Sequence, residues 1–296
     1  MRLDAPYMNM SRDSSSSTVL ITGCSTGIGE ACARELDRRG FRVFAGVRNE
    51  AAGERIRVGT SGRLTPVMLD VTNADQIAAA ARVVEEATGE AGLDGLVNNA
   101  GIVVPGPLEA LPLEAFRRQL EVNVVGQVAV TQAVLPLLRK ARGRIVNMSS
   151  TSGGISSPCL GAYCASKWAL EAINDALRQE LRPWGMHVAS VAPGPIKTPI
   201  WEKSAVTAEE LAKGAPAEVL AMYEKFLAAM RRLVEESTRT AAPVERVVEA
   251  VVHALTATKP KTHYFIGWNA RLSFKGAKML PDRIRDWVVR KAVGLE

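Results

Sequence analysis

The chain has 296 residues, of which 47% are hydrophobic and 23% charged, and it carries a formal net charge of +6. That balance suits a globular fold with a large core and excludes a chain too polar to collapse. The basic excess lies partly in residues 139–144 and 275–291, without a long basic tract or an aromatic ladder, so nucleic acid is not expected as a partner.

Residues 1–17, with serines at 14–17, read as a disordered tail, and residues 18–296 as one domain. Val19-Leu20-Ile21 has the apolar character of a buried parallel strand. The run from Thr22 to Gly29 follows it at once. Its glycines at Gly23, Gly27 and Gly29 depart from the G-x-G-x-x-G spacing, yet they predict a tight turn that a pyrophosphate can approach, with a helix N-terminus at residue 27. The helix is expected over 27–39. Strands are expected over 41–47, which ends on Val47 before Arg48, and over 63–69, which Asp70 follows.

An alanine-rich helix over 73–88 leads to a strand over 93–98 and then to Asn98-Asn99-Ala100-Gly101. A helix over 122–140, bent near Pro136, precedes a strand over 143–148. Residues 161–181 form the next helix and 186–191 the next strand, before Pro193-Gly194-Pro195-Ile196-Lys197-Thr198. Strands that alternate with helices imply a Rossmann-like, doubly wound parallel sheet covered on both faces, with ligands at the strands' carboxyl ends. From 199 to 239 the pattern turns helical, with an apolar stripe at Leu220, Tyr223, Phe226, Leu227 and Met230. A helix over 244–256, a short strand over 264–266 and a basic amphipathic tail over 284–293 complete the chain.

Tyr163 and Lys167 are four residues apart, so a helix puts the phenol and the ammonium on one face. A nearby cation favours the phenolate, and Lys167, helped by an adjacent cationic ring, is expected to lower the Tyr163 pKa enough for proton exchange near neutrality. Cys24, Cys32, Cys159 and Cys164 form neither a C-x-x-C pair nor a zinc pattern. No metal is expected, and the setting expected is a reducing cytoplasm. No apolar run reaches the roughly 18 residues of a bilayer span, so no integral membrane segment is expected.

Taken together, Thr22 to Gly29, Asn98 to Gly101, Asn123, Ser150, Tyr163-x-x-x-Lys167 and Pro193-Gly194 resemble the classical short-chain dehydrogenase/reductase family. The text of the first strand and turn looks closest to its 17β-hydroxysteroid and retinol dehydrogenase branch. The resemblance implies that hydride passes between a nicotinamide cofactor and a carbon bearing oxygen, with Tyr163 as proton donor or acceptor and Ser150 holding the oxygen. It further implies that Lys167 binds the nicotinamide ribose and that Asn123 holds a water linking Lys167 to solvent.

In the same reading Gly23, Ser25, Thr26, Gly27, Ile28 and Gly29 surround the pyrophosphate, and Asp70 and Val71 meet the adenine. Asn98, Ala100 and Gly101 support the adenosine ribose, while Pro193, Gly194, Ile196 and Thr198 lie against the carboxamide. Arg48, where NAD-preferring members carry an acid, points to NADP(H), with NAD(H) possible. The implied substrate is a lipophilic ketone or secondary alcohol under a lid at about 199–240, with a C-terminal extension from about 268. A homodimer or homotetramer through the helices at 122–140 and 161–181 is the family's pattern. Two alternatives stay open, an NAD-linked or biosynthetic β-keto or quinone reductase and a non-catalytic dinucleotide sensor.

Overall fold

Short runs that are apolar on both faces, such as Val19-Leu20-Ile21, are stable only when helices cover a sheet from both sides. The computed structural model, which describes residues 17–267 and 270–295, has that construction. Its first half runs β1 (Thr18–Ile21), α1 (Gly27–Arg38), β2 (Arg42–Val47), α2 (Glu50–Arg57), β3 (Leu64–Met68), α3 (Ala74–Thr88) and β4 (Gly95–Asn98). There follow α4 (Leu113–Leu120), α5 (Gly126–Ala141), β5 (Arg144–Met148), α6 (Gly161–Glu180) and β6 (His187–Pro193). The last part holds α7 (Ile200–Gly214), α8 (Ala217–Met222), α9 (Glu224–Thr240), α10 (Glu245–Thr256), β7 (His263–Ile266), α11 (Ala277–Met279) and α12 (Asp282–Ala292).

The seven strands form one parallel sheet in the order β3-β2-β1-β4-β5-β6-β7. Strand order therefore reverses between β1 and β4, where a crevice opens at the carboxyl ends. Alternate side chains feed two cores. Val19, Ile21, Val97, Val146 and Ala189 pack under Leu36 of α1 and Val247 and Val251 of α10. Leu20, Phe44, Leu96, Ile145 and Val188 pack under Ile77 and Val84 of α3 and Val130, Val134 and Leu138 of α5.

Several expectations shift. Ser17 is not tail: its carbonyl accepts from the Arg42 N–H beside β1, and residues 1–16 lie outside the described residues. Helix α2, capped by the Asn49 side chain on the Ala52 N–H, was not anticipated from the sequence. The helix expected over 122–140 begins at Leu113 and runs to Ala141 through a π-helical turn at Glu121–Val125. Those 29 residues are long and apolar enough to cross a membrane by composition alone, with a mean hydropathy of 1.3 over the best window. The sequence expectation concerned unbroken apolar runs, and Glu121, Asn123, Gln127 and Thr131 interrupt this one. In this fold Val130, Val134, Leu137 and Leu138 of that helix are spent on the sheet.

Candidate active site

Cofactor-sized space opens at the reversal in strand order, as a cleft of about 820 Å³. Its floor is the turn after β1. Gly23 and Gly27 have φ of +70° and +67°, which L side chains rarely adopt. Gly29 solves a different problem: a Cβ there would stand 2.3 Å from the Gly23 carbonyl oxygen, so only glycine lets α1 close onto the turn. Thr26, the residue before α1, makes no side-chain capping bond, which leaves the first-turn N–H groups and the positive helix end aimed at the cleft. Such a cradle fits a pyrophosphate. Gly29→Ala should therefore cost both stability and cofactor affinity, read as a Tm several degrees lower and weaker nucleotide binding; a variant matching the parent in both would refute this packing argument.

Around this floor the cleft is lined by Gly23, Ser25, Thr26, Gly27, Ile28, Arg48, Asp70, Val71, Ala100, Gly101, Ser150, Tyr163, Lys167, Pro193, Gly194, Ile196 and Thr198. All were expected from the sequence. Three other expected residues are not in the lining. Gly29 acts from below, through the close approach just described. Asn98 is buried at the end of β4, where its amide donates to Thr131 Oγ1 and Asn147 Oδ1, both at 2.9 Å. It clamps β4 to β5 and α5, and its neighbour Asn99 reaches the cleft instead, donating to the carbonyls of Thr22 and Gly23.

Asn123 is the third. It sits in the π-helical turn, fully buried, with Oδ1 accepting from the Ile102 N–H at 2.8 Å. Its Nδ2 donates to the Ile102 carbonyl at 3.0 Å and to Ser166 Oγ at 3.1 Å. The side chain therefore ties the 102 loop to α6.

The reacting end lies where β5 and α6 meet. Ser150 caps the short turn Thr151–Gly153, accepting from the Ser152 N–H at 3.1 Å, and it lines the cleft together with Tyr163, near enough to favour the phenolate. Lys167 Nζ lies 5.7 Å from the centre of the Tyr163 ring and donates to the Met148 carbonyl at 2.8 Å. Without the cationic ring, desolvation sets both groups. Burial pushes the Tyr163 phenol up to about 12, with Ser150 acting against it, and brings Lys167 down to about 8. In the protein alone the loss of water dominates at both groups. One turn further on, the buried Glu171 accepts from Ser190 Oγ at 2.6 Å and pairs with His263 Nε2 at 3.1 Å, anchoring α6 to β6 and β7.

At the opposite end Asp70 Oδ1 accepts from the Thr72 N–H and hydroxyl, an Asx turn, and it feels Arg48 and Arg118. Arg118, from α4, faces the cleft and was not anticipated. Nor was Lys203 of α7, whose Nζ donates to Thr26 Oγ1 at 3.1 Å over the phosphate turn. The apolar stripe from Leu220 to Met230 is not in the cleft lining, to which the helices after β6 contribute Ile200, Trp201, Lys203 and Leu233. Among the described residues no cluster of His, Cys, Asp and Glu is arranged to hold a metal ion.

A parallel sheet with a glycine cradle at its switch point and a serine, tyrosine and lysine gathered beside it in the cleft defines a nicotinamide-linked oxidoreductase as a class. The family described as short chain dehydrogenase matches residues 17–209. Retinol dehydrogenase 7 of Mus musculus is 42% identical over 272 residues, covering 90% of this chain and 86% of the relative. The 17-beta-hydroxysteroid dehydrogenase type 6 of Bos taurus is 41% identical over 280 residues, covering 93% and 88%. A short chain dehydrogenase from Burkholderia cenocepacia, solved in complex with NADP, superposes with a TM-score of 0.69 at 27% identity, covering 95% of this chain and 98% of that one. The chain belongs to the short-chain dehydrogenase family, whose members bind NAD(P), and it is an oxidoreductase acting on CH–OH groups.

Proposed function

We propose that this enzyme interconverts a lipophilic ketone and a secondary alcohol, steroid- or retinoid-like, with NADP(H) as its preferred cofactor. The observation that carries the reading is the grouping of Ser150, Tyr163 and Lys167 at one end of a cleft whose other end presents Arg48, with Lys167 Nζ 5.7 Å from the centre of the Tyr163 ring. When bound, the nicotinamide supplies or accepts the hydride. Tyr163 gives a proton to the carbonyl oxygen in reduction or takes one from the alcohol in oxidation, and Ser150 holds that oxygen. Lys167 presents an ammonium to the ribose and favours the phenolate when Tyr163 has given up its proton. Ile196 and Thr198 bound the carboxamide side of the cleft, while the glycine cradle holds the pyrophosphate and Asp70 and Val71 the adenine.

Arg48 and Arg118 supply the cations for a 2′-phosphate. Arg48→Ala should weaken NADPH binding tenfold to a hundredfold, about 1.5–3 kcal/mol for a charge-assisted contact, with little change for NADH. Titrating both reduced cofactors into parent and variant checks this, and equal losses for the two would remove Arg48 from the assignment. The substrate reading is tested by screening purified protein against steroid and retinoid alcohols and ketones with each cofactor, following the absorbance of the reduced nicotinamide. Turnover confined to short hydrophilic carbonyls, or to NADH alone, would overturn it.

The reading we propose includes a cytoplasmic setting, in keeping with four free thiols, of which Cys24, Cys32 and Cys164 are deeply buried. It also pairs copies through the helices at 122–140 and 161–181, on which Val125 and Trp168 stand exposed.

A further inference from the structure

Glu171 is a buried carboxylate that the proposed reaction does not use. It lies four residues after Lys167 on α6, so the two side chains share one helix face, with Cβ atoms about 5–6 Å apart, and both residues are buried. The turn that Ser150 caps lies directly on this stretch of helix. A Cβ on Gly153 would stand 3.0 Å from Glu171 Cγ and 3.1 Å from the Lys167 carbonyl oxygen.

A buried carboxylate is costly unless it is held. Ser190 donates its hydroxyl to Oε1 at 2.6 Å, and His263 Nε2, 3.1 Å from Oε2, carries its proton to face an acceptor-only group. A neutral amide at 171 would accept from Ser190 equally well. What it would not supply is charge, and Lys167 is short of charge: its ammonium donates to the neutral Met148 carbonyl. Burial draws Lys167 down to about 8, and the Glu171 charge works against that fall.

The other groups around the pair do not do this. Tyr163 on α6 is held protonated by burial, and the end of β5 and β6 contribute the neutral Ser149 and Ser190. His263 comes from β7, and beyond it Lys275 and Lys278 sit over the rings of Phe265, Phe274 and Trp168 at 4.3–5.7 Å. We propose that Glu171 is a positioning residue of the reaction, a fixed negative charge one helical turn from Lys167 that keeps its amine in the ammonium form. The proposal rests on the role given to Lys167 beside Tyr163 and the cofactor ribose. Ser190 and His263 hold the carboxylate where it acts.

Competitive acetylation of the full chain with trace acetic anhydride, from about pH 6 to 10, reads the protonation of Lys167 by mass spectrometry, since that residue lines the cleft. The labelling needs no turnover, so it separates failure of this coupling from failure of the reaction assigned to Tyr163. The parent should label with a midpoint near 8. Glu171→Gln should lower the midpoint by about one pH unit or more, a tenfold change in protonation, because charges one helical turn apart in a buried site interact strongly. Glu171→Asp and Ser190→Ala, which disturb the anchoring and keep the charge, should stay near the parent. In ketone reduction the alkaline limb of kcat/KM should move down with Glu171→Gln alone. If that variant does not fold, Glu171→Met with His263→Phe decides: it replaces the buried pair by apolar groups beside the Phe265 and Phe274 rings and should show the same downward move. A parent midpoint in whichever uncharged variant folds would overturn the proposal. So would a Glu171→Asp variant displaced as far as Glu171→Gln, which would leave Glu171 an anchor of the fold.

Discussion

Replacing Tyr163 with phenylalanine should lower turnover by about 10²- to 10⁴-fold, the range that a positioned proton donor contributes, and leave cofactor binding near the parent value. The change deletes one hydroxyl at the end of the cleft that Ser150 and Lys167 share, and it touches neither the glycine cradle nor Arg48. Because burial holds the phenol up to about 12, Tyr163 carries its proton at neutral pH and is set to donate it to a carbonyl. Stopped-flow reduction of any ketone the parent accepts, alongside fluorescence titration of the reduced cofactor, separates chemistry from binding. Near-parent turnover would assign proton transfer elsewhere.

Lys167→Met should abolish most activity and yet stabilise the protein at neutral pH. Burial lowers the Lys167 pKa from 10.5 to about 8, so at pH 7 the folded chain holds a charge that the unfolded chain solvates better. At about 1.4 kcal/mol per pKa unit the penalty is about 3 kcal/mol; losing the bond to the Met148 carbonyl returns about 1, which leaves a gain of about 2 kcal/mol. The sign with pH follows from proton counts. Between about 8 and 10.5 the unfolded parent binds the proton and the folded parent does not, so parent stability rises through that window and the advantage of methionine disappears. Urea unfolding at neutral pH and near pH 10 reads it directly, and a variant less stable than the parent at pH 7 would show that Lys167 supports the fold.

Much of this site was legible because phosphate turns and catalytic groups cluster at strand ends, and strand ends are marked in sequence by where apolar runs stop. What alternation could not supply was orientation. Asn98 and Asn99 are adjacent and chemically identical; Asn98 still belongs to β4 and points under the sheet, while Asn99 has left it and reaches the cleft. Arg118 and Lys203 carry no local signal, since each is brought to the cleft by tertiary packing from a helix that the motifs do not include. The upward push on Tyr163 in the protein alone was hidden for the same reason: the charge at i+4 is readable, but desolvation is a property of the whole assembly. Helix α2 is only eight residues with a glycine inside, too short for its periodicity to stand out, although Asn49 marked its start.

Helix α10 has a consequence for how the enzyme comes into being. Every residue of the cleft up to Thr198 has been synthesised long before Glu245, yet Val247 and Val251 cover the middle of one sheet face, over Val97 and Val146. His263, which completes the shell around Glu171 beneath the active-site lysine, follows later still. A nascent chain bearing the entire set of signature residues is therefore half-roofed, with bare strands on one side. Activity should switch on late and all at once in translation, when roughly the last sixth of the polypeptide clears the ribosome and closes the sheet.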